Sequence, residues 1–593
     1  MLNSIIDAVR LEIERLGEPC NRTRYFLFGK ADELETDEVL GFTFRNAPDR
    51  VLRDARWTGS RQEECLFKIG DEFANGFMAL SSEGVTVDFT LEELAHRGLS
   101  VARVQHTAER GIEYVMDTRD LTGHLMGFLD ARRGESNPIL EDILSGAGPT
   151  PIDPIARPGR LAGLNSSQAR AIEKALSQRV TFLWGPPGTG KTRTMAALAA
   201  LLVKRKKRVL LSALSNLALD QLLLATVKDL GPGARDTAIA RTGTQMSDAC
   251  APYGRRSFER RPGSSRAARA ASLRSSHTES PRSARAASSW EEHVAGARLV
   301  ASNFTMLTLP RGPSHGAFDY VLADEVSMSN IPNLAAASFY AGTGMVLGGD
   351  PFQLPPIYPG DAEVPNEFFR RNVFETAGIA DRHDPRVAFL DTQYRMQKEI
   401  GDLVSDLFYG GELKTAASPA PHIGDFEGRV VFAQSAGRVQ VAGEDDTEVE
   451  EQRRFNPAHA RTVADYVVSL LEAGLAGKEI GVITPYNAQL VMIMEKLQET
   501  IGDYGPAAGG IKVSTIHSFQ GQERRAVIVD FTDDNVRPSP LTARWELVNV
   551  ALSRAKELLV IVGNRHYLQS SEFFSRKETA VFEKMISHAV VMG

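Results

Sequence analysis

Cysteine is scarce in this chain of 593 residues, which has three, Cys20, Cys65 and Cys250. Thiols so far apart make neither a disulfide framework nor a zinc cluster, which excludes small secreted scaffolds and indicates a reducing, cytoplasmic setting. Long apolar runs are missing as well. No stretch approaches the roughly 18 residues that a membrane span requires, and the opening MLNSIIDAVRLEIERLGE is acidic and amphipathic, not a charged start followed by an apolar core. Neither secretion nor a membrane anchor is expected. Excess positive charge is also lacking. A net charge of −7 does not announce a nucleic-acid binder, although a whole-chain sum hides local patches. The four tryptophans, Trp57, Trp184, Trp290 and Trp545, form no cluster and are assigned to packing.

What is present is an ordinary globular composition, 42% hydrophobic and 24% charged, in a chain long enough for about three to five domains. Residues 1–150 open with a helix spaced by Ile5, Ile6, Val9, Leu11 and Ile13. They continue with short strand-type runs such as Tyr25 to Phe28, Val85 to Phe89 and Ile112 to Met116. Pro149, Pro151, Pro154 and Pro158 then mark a linker, and the next folded unit begins near Leu161. From Tyr253 to Ser289 nine arginines, Arg255, Arg256, Arg260, Arg261, Arg266, Arg269, Arg274, Arg282 and Arg285, stand among Ser, Ala, Gly and Pro, a composition too polar to fold alone. That stretch reads equally as a handle for a polyanion or as a solvated loop. Strand-type runs resume at Arg298 to Ser302, Tyr320 to Ala323, Met345 to Gly348, Ile480 to Thr484, Ala526 to Asp530 and Leu558 to Val562. Helical segments separate them, so two α/β units are expected.

The chemistry starts at Gly185-Pro186-Pro187-Gly188-Thr189-Gly190-Lys191-Thr192, between the apolar run Val180 to Trp184 and the Ala/Leu-rich run Thr194 to Val203. Glycines let backbone N–H groups close on the phosphates of a nucleotide, ATP in this reading. Lys191 reaches the β and γ phosphates, and Thr192 holds Mg²⁺. After the strand Tyr320 to Ala323 come Asp324, placed as a second Mg²⁺ ligand, and Glu325, placed to polarise the attacking water. Gln353, in Gly349 to Pro356 (GDPFQLPP), offers an amide to the γ-phosphate or its water on a loop stiffened by Pro355 and Pro356. In the second unit Gln393-Tyr394-Arg395-Met396 and Asn549 to Lys556 (NVALSRAK) each supply an arginine, Arg395 and Arg554, suited to completing a phosphate site across a cleft. His517 has no second ligand at usable spacing and is read as part of a loop motif.

These motifs, in this order, resemble superfamily 1 helicases, class B, in the up-frameshift-like branch, over residues 160–565. The resemblance implies two tandem RecA-like P-loop domains, at 151–384 and 385–593, behind a barrel-like β-rich accessory domain on a helical stalk at 1–150. It also implies an insertion at about 228–296 in the first RecA-like domain. By resemblance Gln168, in Leu164 to Gln168, reads the adenine edge and Tyr394 stacks on the base. Glu523 lies near the ribose, and Arg395 and Arg554 are paired arginine fingers. Ser215 and Asn216, in Leu214 to Asp220, and Thr515, in Ser514 to Glu523, contact a single-stranded RNA or DNA backbone, while Gly481 to Gln489 matches another family motif. Movement from 5′ to 3′ by a monomeric motor follows from the branch alone. Two motifs depart from the pattern. Asp-Glu-Ala-Ser-Gln is here Asp324-Glu325-Val326-Ser327-Met328, which loses the glutamine that links nucleotide to strand, and the usual His-Pro after Met396 is Gln397-Lys398.

Three activities remain open at this stage: an ATP-driven translocase or helicase, an ATP-gated clamp or ribonucleoprotein remodeller, and a P-loop kinase or GTPase on a small molecule. The last leaves GDPFQLPP, QYRM and NVALSRAK without a task. No nuclease or zinc module is expected after the second α/β unit.

Overall fold

The computed structural model describes residues 2–17, 23–27, 31–35, 39–44, 63–69, 72–81, 84–96, 99–110, 112–116, 119–153, 163–234, 237–243, 246–254, 290–309, 318–356, 367–441, 453–501, 509–519, 521–538 and 544–592. Pro154, Pro158 and the arginines of the basic segment lie outside the described residues. The chain divides into two compact units, Met1–Asn21 with Thr118–Thr392, and Arg22–Asp117 with Gln393–Gly593. Among the described residues no helix is long and apolar enough to cross a membrane.

Seven strands near the amino terminus, β1 (Thr23–Leu27), β2 (Ala31–Glu35), β3 (Val39–Phe44), β4 (Glu63–Ile69), β5 (Glu72–Ser81), β6 (Gly84–Thr90) and β7 (Ile112–Met116), form one sheet ordered β1-β7-β4-β5-β6-β3-β2. Every pairing is antiparallel. Alternation puts Phe42, Phe67, Val87 and Phe89 in its core, where Phe89 meets Phe67 edge-on at 5.2 Å between ring centres. The helix Leu2–Gly17 buries Ile5, Ile6 and Val9 in a different core, with Leu125, Phe128 and Leu129 of the helix Arg119–Asp130.

The first unit is built on β8 (Val180–Trp184), β9 (Val209–Ala213), β10 (Ile239–Arg241), β11 (Leu299–Ala301), β12 (Phe318–Asp324), β13 (Ala341–Gly349) and β14 (Val387–Phe389). They form a parallel sheet ordered β10-β11-β9-β12-β13-β8-β14. Successive residues serve opposite faces. Phe182 and Trp184, Val321 and Ala323, Met345 and Leu347 enter one core, whereas Leu183, Tyr320, Leu322 and Val346 enter the other. A sheet buried on both faces requires apolar residues at consecutive positions, which is why these strands read as unbroken apolar runs.

Two short pairings follow, β15 (Thr392–Gln393) with β16 (Lys414–Thr415), and β18 (Gln440–Val441) with β19 (Arg454–Phe455). A second parallel sheet contains β17 (Val430–Gln434), β20 (Ile480–Thr484), β21 (Lys512–Thr515), β22 (Arg524–Asp530), β23 (Ala555–Gly563) and β24 (Val590–Met592), ordered β21-β20-β22-β23-β17-β24. One of its faces packs Val431, Val482, Ile528 and Val560 against Val463, Val467 and Leu470 of the helix Pro457–Glu472. The fold is α/β with two RecA-like parallel sheets and a separate antiparallel sheet.

Candidate active site

Four adjacent strands of the first unit, β9, β12, β13 and β8, end at one edge of the sheet, and the candidate groups follow their carboxyl ends. That edge is where open parallel sheets bind ligands. The amide of Gly185 donates to Gly349 O at 3.0 Å and ties the end of β8 to that of β13. The loop then turns into the helix Lys191–Lys204, whose cap, Gly190, has φ 78° and supplies no side chain. A Cβ on Gly190 would lie 2.7 Å from Gln168 Nε2, and one on Gly185 would lie 2.9 Å from Lys191 Cβ, so both positions must be glycine for the loop to close. Pro186 accepts the Thr189 hydroxyl at 2.8 Å. Gln168 is buried, and its amide bonds both the loop and its own helix: Nε2 donates to Thr189 O at 3.0 Å and Oε1 accepts from Asn165 N at 3.0 Å, one bond at each atom.

Lys191 Nζ meets Asp324 Oδ1 at 2.9 Å, and the Thr192 hydroxyl donates to Asp324 Oδ2 at 3.2 Å. Burial alone would pull the Lys191 ammonium down. Asp324, through charge and hydrogen bond, with Glu325 and Asp350 behind it, outweighs that effect and holds the ammonium above the ordinary lysine value. Glu325 follows in the left-handed region at φ 57°, its amide donating to Asp324 Oδ1 at 2.8 Å. Burial and the neighbouring Asp324 charge push its carboxyl above the ordinary glutamate value, against Lys191 and hydrogen bonds from both the hydroxyl and the amide of Ser215. Gln353 sits in the turn after β13 and donates through Nε2 to Asp350 Oδ2 at 2.7 Å. Asp350 Oδ1 also accepts the Trp184 indole N–H at 3.1 Å and the Phe352 amide at 3.1 Å, so one buried carboxylate organises this turn.

At the end of β9 the Ser215 hydroxyl caps the helix Asn216–Leu230 by accepting Ala218 N at 3.1 Å, and it donates to Glu325 Oε2 at 3.0 Å. Asn216 Oδ1 accepts from Arg241 Nη2 at 2.8 Å and from Asn303 Nδ2 at 3.0 Å. Fully buried Arg241 also donates through Nε to Asp220 Oδ1 at 2.8 Å. Leu214 and Leu217, on either side of Ser215 and Asn216, are exposed.

In the second unit the charged candidates gather at the amino ends of β22 and β23. Glu523 forms ion pairs with Arg395, Nε to Oε2 at 2.5 Å, and with Lys556, Nζ to Oε1 at 2.5 Å. Burial pushes its carboxyl up, but the two cations outweigh burial and hold it below the ordinary glutamate value. Arg395 also donates to Ser553 O at 3.1 Å. Arg554 is buried, with Nε on Val550 O at 2.9 Å. Tyr394 is an exposed aromatic. Thr515, at the carboxyl end of β21, lies at the opposite edge from Glu523 and Arg554 and donates to Ser518 Oγ at 3.2 Å.

The first unit thus brings together Gln168, the loop 185–192, Asp324, Glu325, Gln353 and Ser215. The second brings Arg395 and Glu523 together, with Arg554 just before β23, its carbonyl accepting the Arg524 amide at 3.1 Å. The glycine-shaped loop, the helix start without a side-chain cap and the lysine and threonine converging on one carboxylate fit a nucleoside triphosphate with a hard dication, which takes few protein carboxylates. Sequence reasoning passed over Asp350, Lys556, Arg241 and the Ser215–Glu325 contact. Asp350 and Lys556 stood inside quoted motifs, whereas nothing local signals a bond between residues so distant in the chain.

Two family models, both described as "AAA domain", match residues 163–282 and 369–566. The chain is 27% identical over 435 residues to the DNA replication ATP-dependent helicase/nuclease JHS1 of Arabidopsis thaliana, covering 68% of this chain and 28% of that protein. It is 28% identical over 461 residues to the DNA polymerase alpha-associated DNA helicase A of Schizosaccharomyces pombe, covering 69% and 65%. It is 27% identical over 483 residues to the DNA-binding protein SMUBP-2 of Rattus norvegicus, covering 74% and 47%. Each match spans less than two thirds of the relative's own length.

Proposed function

We propose, for a chain that belongs to superfamily 1 of the helicases, in the up-frameshift-like branch of class B, an ATP-driven translocase and helicase on single-stranded RNA or DNA that moves from 5′ to 3′. The observation that carries this reading is the convergence of Lys191 Nζ and the Thr192 hydroxyl on Asp324, with Glu325 next in the chain. Mg²⁺, held by Thr192 and Asp324, supplies charge neutralisation on the triphosphate. Lys191 exchanges Asp324 for the phosphates, cradled by Gly185, Pro186, Pro187, Gly188, Thr189 and Gly190. Glu325 orients the attacking water, and Gln353, aimed by Asp350, senses the phosphate end. Tyr394 covers the base, Gln168 sits at its edge, and Glu523 faces the ribose. Arg395 and Arg554 place charge on the γ-phosphoryl group, where it develops in the transition state. Loss of that group removes what the two arginines hold, so the grip of Ser215, Asn216 and Thr515 on the strand changes with nucleotide state. In this reading the working parts are an accessory module at 1–150, a first RecA-like domain at 151–384 carrying an insertion at about 228–296, and a second at 385–593.

A second reading is favoured by Met328, which ends the turn Val326–Met328 after Glu325 and whose thioether cannot donate a hydrogen bond. An ATP-gated clamp or remodeller that binds strand without processive unwinding would tolerate that loss. Hydrolysis rates with and without saturating single-stranded oligonucleotide, together with displacement of duplexes carrying one tail, separate the two. The motor should hydrolyse faster with oligonucleotide and unwind from a 5′ tail, and Arg395→Ala and Arg554→Ala should each lower kcat by about 10³-fold. Stimulation without unwinding selects the clamp, and a rate indifferent to oligonucleotide removes both readings.

A further inference from the structure

The proposed function gives Ser215 one task, a contact to the strand backbone, yet its hydroxyl is already in use. Oγ accepts the Ala218 amide at 3.1 Å and lies 3.0 Å from Glu325 Oε2. A serine hydroxyl carries one hydrogen, and an ionised carboxylate can only accept, so that hydrogen is the one shared with Glu325. A backbone phosphate also only accepts. The two anions therefore compete for the one hydroxyl hydrogen, while the Ser215 amide, which also favours the ionised Glu325, stays with the carboxylate.

The surroundings make the competition consequential. The backbone of Glu325 is fixed by its left-handed conformation and by its amide bond to Asp324, which leaves the carboxylate end as the adjustable part. On the other side, Asn216 is anchored to Arg241 and Asn303, so the start of the helix that carries Ser215 is held in place. With Met328 standing where the family has a glutamine, a side-chain link from nucleotide to strand needs a different donor.

We propose that Ser215 is a positioning residue for Glu325: without a strand its hydroxyl holds the water-orienting carboxylate to itself, and a backbone phosphate that takes the same hydrogen releases it. The inference rests on the proposed function and adds to it a route by which strand binding accelerates hydrolysis. By linkage the effect is reciprocal, so Glu325 weakens strand binding by the factor by which the strand frees Glu325.

Two measurements on the full chain test it. In the first, Ser215→Ala should raise hydrolysis without oligonucleotide by about fivefold or more, the low end of ordinary coupling between sites, and should reduce the stimulation factor accordingly. Ser215→Thr, which keeps hydroxyl and cap, should lower the basal rate and restore the stimulation relative to Ser215→Ala. In the second, nucleotide-free binding of a labelled single strand is followed by anisotropy, beginning from Glu325→Ala, in which the cap is intact. Glu325→Ala should tighten binding by about fivefold or more in the wild-type background and leave it unchanged in the Ser215→Ala background. Equal tightening in both backgrounds is a long-range charge effect and overturns the proposal. So does a Ser215→Ala variant with wild-type basal rate and stimulation. A wild-type protein whose hydrolysis ignores the strand overturns the functional reading instead, and the gate with it.

Discussion

Glu325 is under separate constraints on its backbone and its side chain. A left-handed conformation in a non-glycine residue costs on the order of 1–3 kcal/mol and persists only where neighbours enforce it, here through the amide bond to Asp324 Oδ1. The carboxyl is pushed above the ordinary glutamate value by burial and by Asp324. Because the ionised form orients water, kcat without strand should fall with decreasing pH, and Ser215→Ala, by removing a hydrogen bond that favours the ionised form, should move that limb to higher pH. Superimposable acid limbs in the two proteins would contradict the contact. For stability the sign is opposite to that of a paired carboxylate: a raised folded value makes the contribution of Glu325 greatest at low pH and diminishes it as pH rises through the folded value. Lys191, Thr192, Asp324 and Glu325 were legible because phosphate chemistry fixes residue types within short motifs. The Ser215–Glu325 bond was not, because a hydroxyl's choice between acceptors depends on where two separate strands end.

Among the elements, seven of the thirteen strands in the two parallel sheets stood out in the sequence, whereas β9, β10, β14, β17, β21 and β24, like several of the antiparallel strands, did not. β8 and β20 are unbroken apolar runs because both faces are covered, and their limits agree with the expected Val180 to Trp184 and Ile480 to Thr484. β4, with the sequence EECLFKI, mixes charge with apolar residues in an antiparallel sheet and leaves a weaker trace. β9 was also passed over, although VLLSA is apolar, since a five-residue run can equally end a helix. The start of the helix Asn216–Leu230 is held by a polar network with no sequence signal: buried Arg241 bridges Asp220 and Asn216, and Asp220 Oδ2 accepts Ser247 N at 2.6 Å. Asp220→Ala would leave the guanidinium buried without its carboxylate, a loss of about 3–5 kcal/mol by the usual cost of breaking a buried pair. Denaturant unfolding should show it as a lower midpoint with an unchanged slope. A change under ~1 kcal/mol would mean that the neighbouring carbonyls and amides satisfy Arg241 on their own.

At the scale of the whole molecule, a net charge of −7 coexists with a segment, Tyr253 to Ser289, in which nine arginines face only Glu259 and Glu279. If that segment follows a strand, each phosphate it neutralises adds roughly 0.7 to the slope of log affinity against log salt, so three engaged arginines steepen it by about 2. Deleting residues 255–289 should then weaken binding at low salt and flatten the slope, while hydrolysis without strand stays near wild type because no catalytic motif lies inside the deletion. Salt-titrated anisotropy with an unchanged slope would leave the segment without a binding role. The division of the chain into two units has another consequence, one of timing. The helix Leu2–Gly17 shares its core with Leu125, Phe128 and Leu129, and residues 22–117, which belong to the other unit, are synthesised in between. At ~5–20 residues per second, roughly a hundred intervening residues leave Ile5, Ile6 and Val9 without their partners for about 5–20 s of translation. During that interval the stripe is a natural client for a chaperone, and a chain released at Asp117 would carry it bare, which makes premature termination there an aggregation hazard.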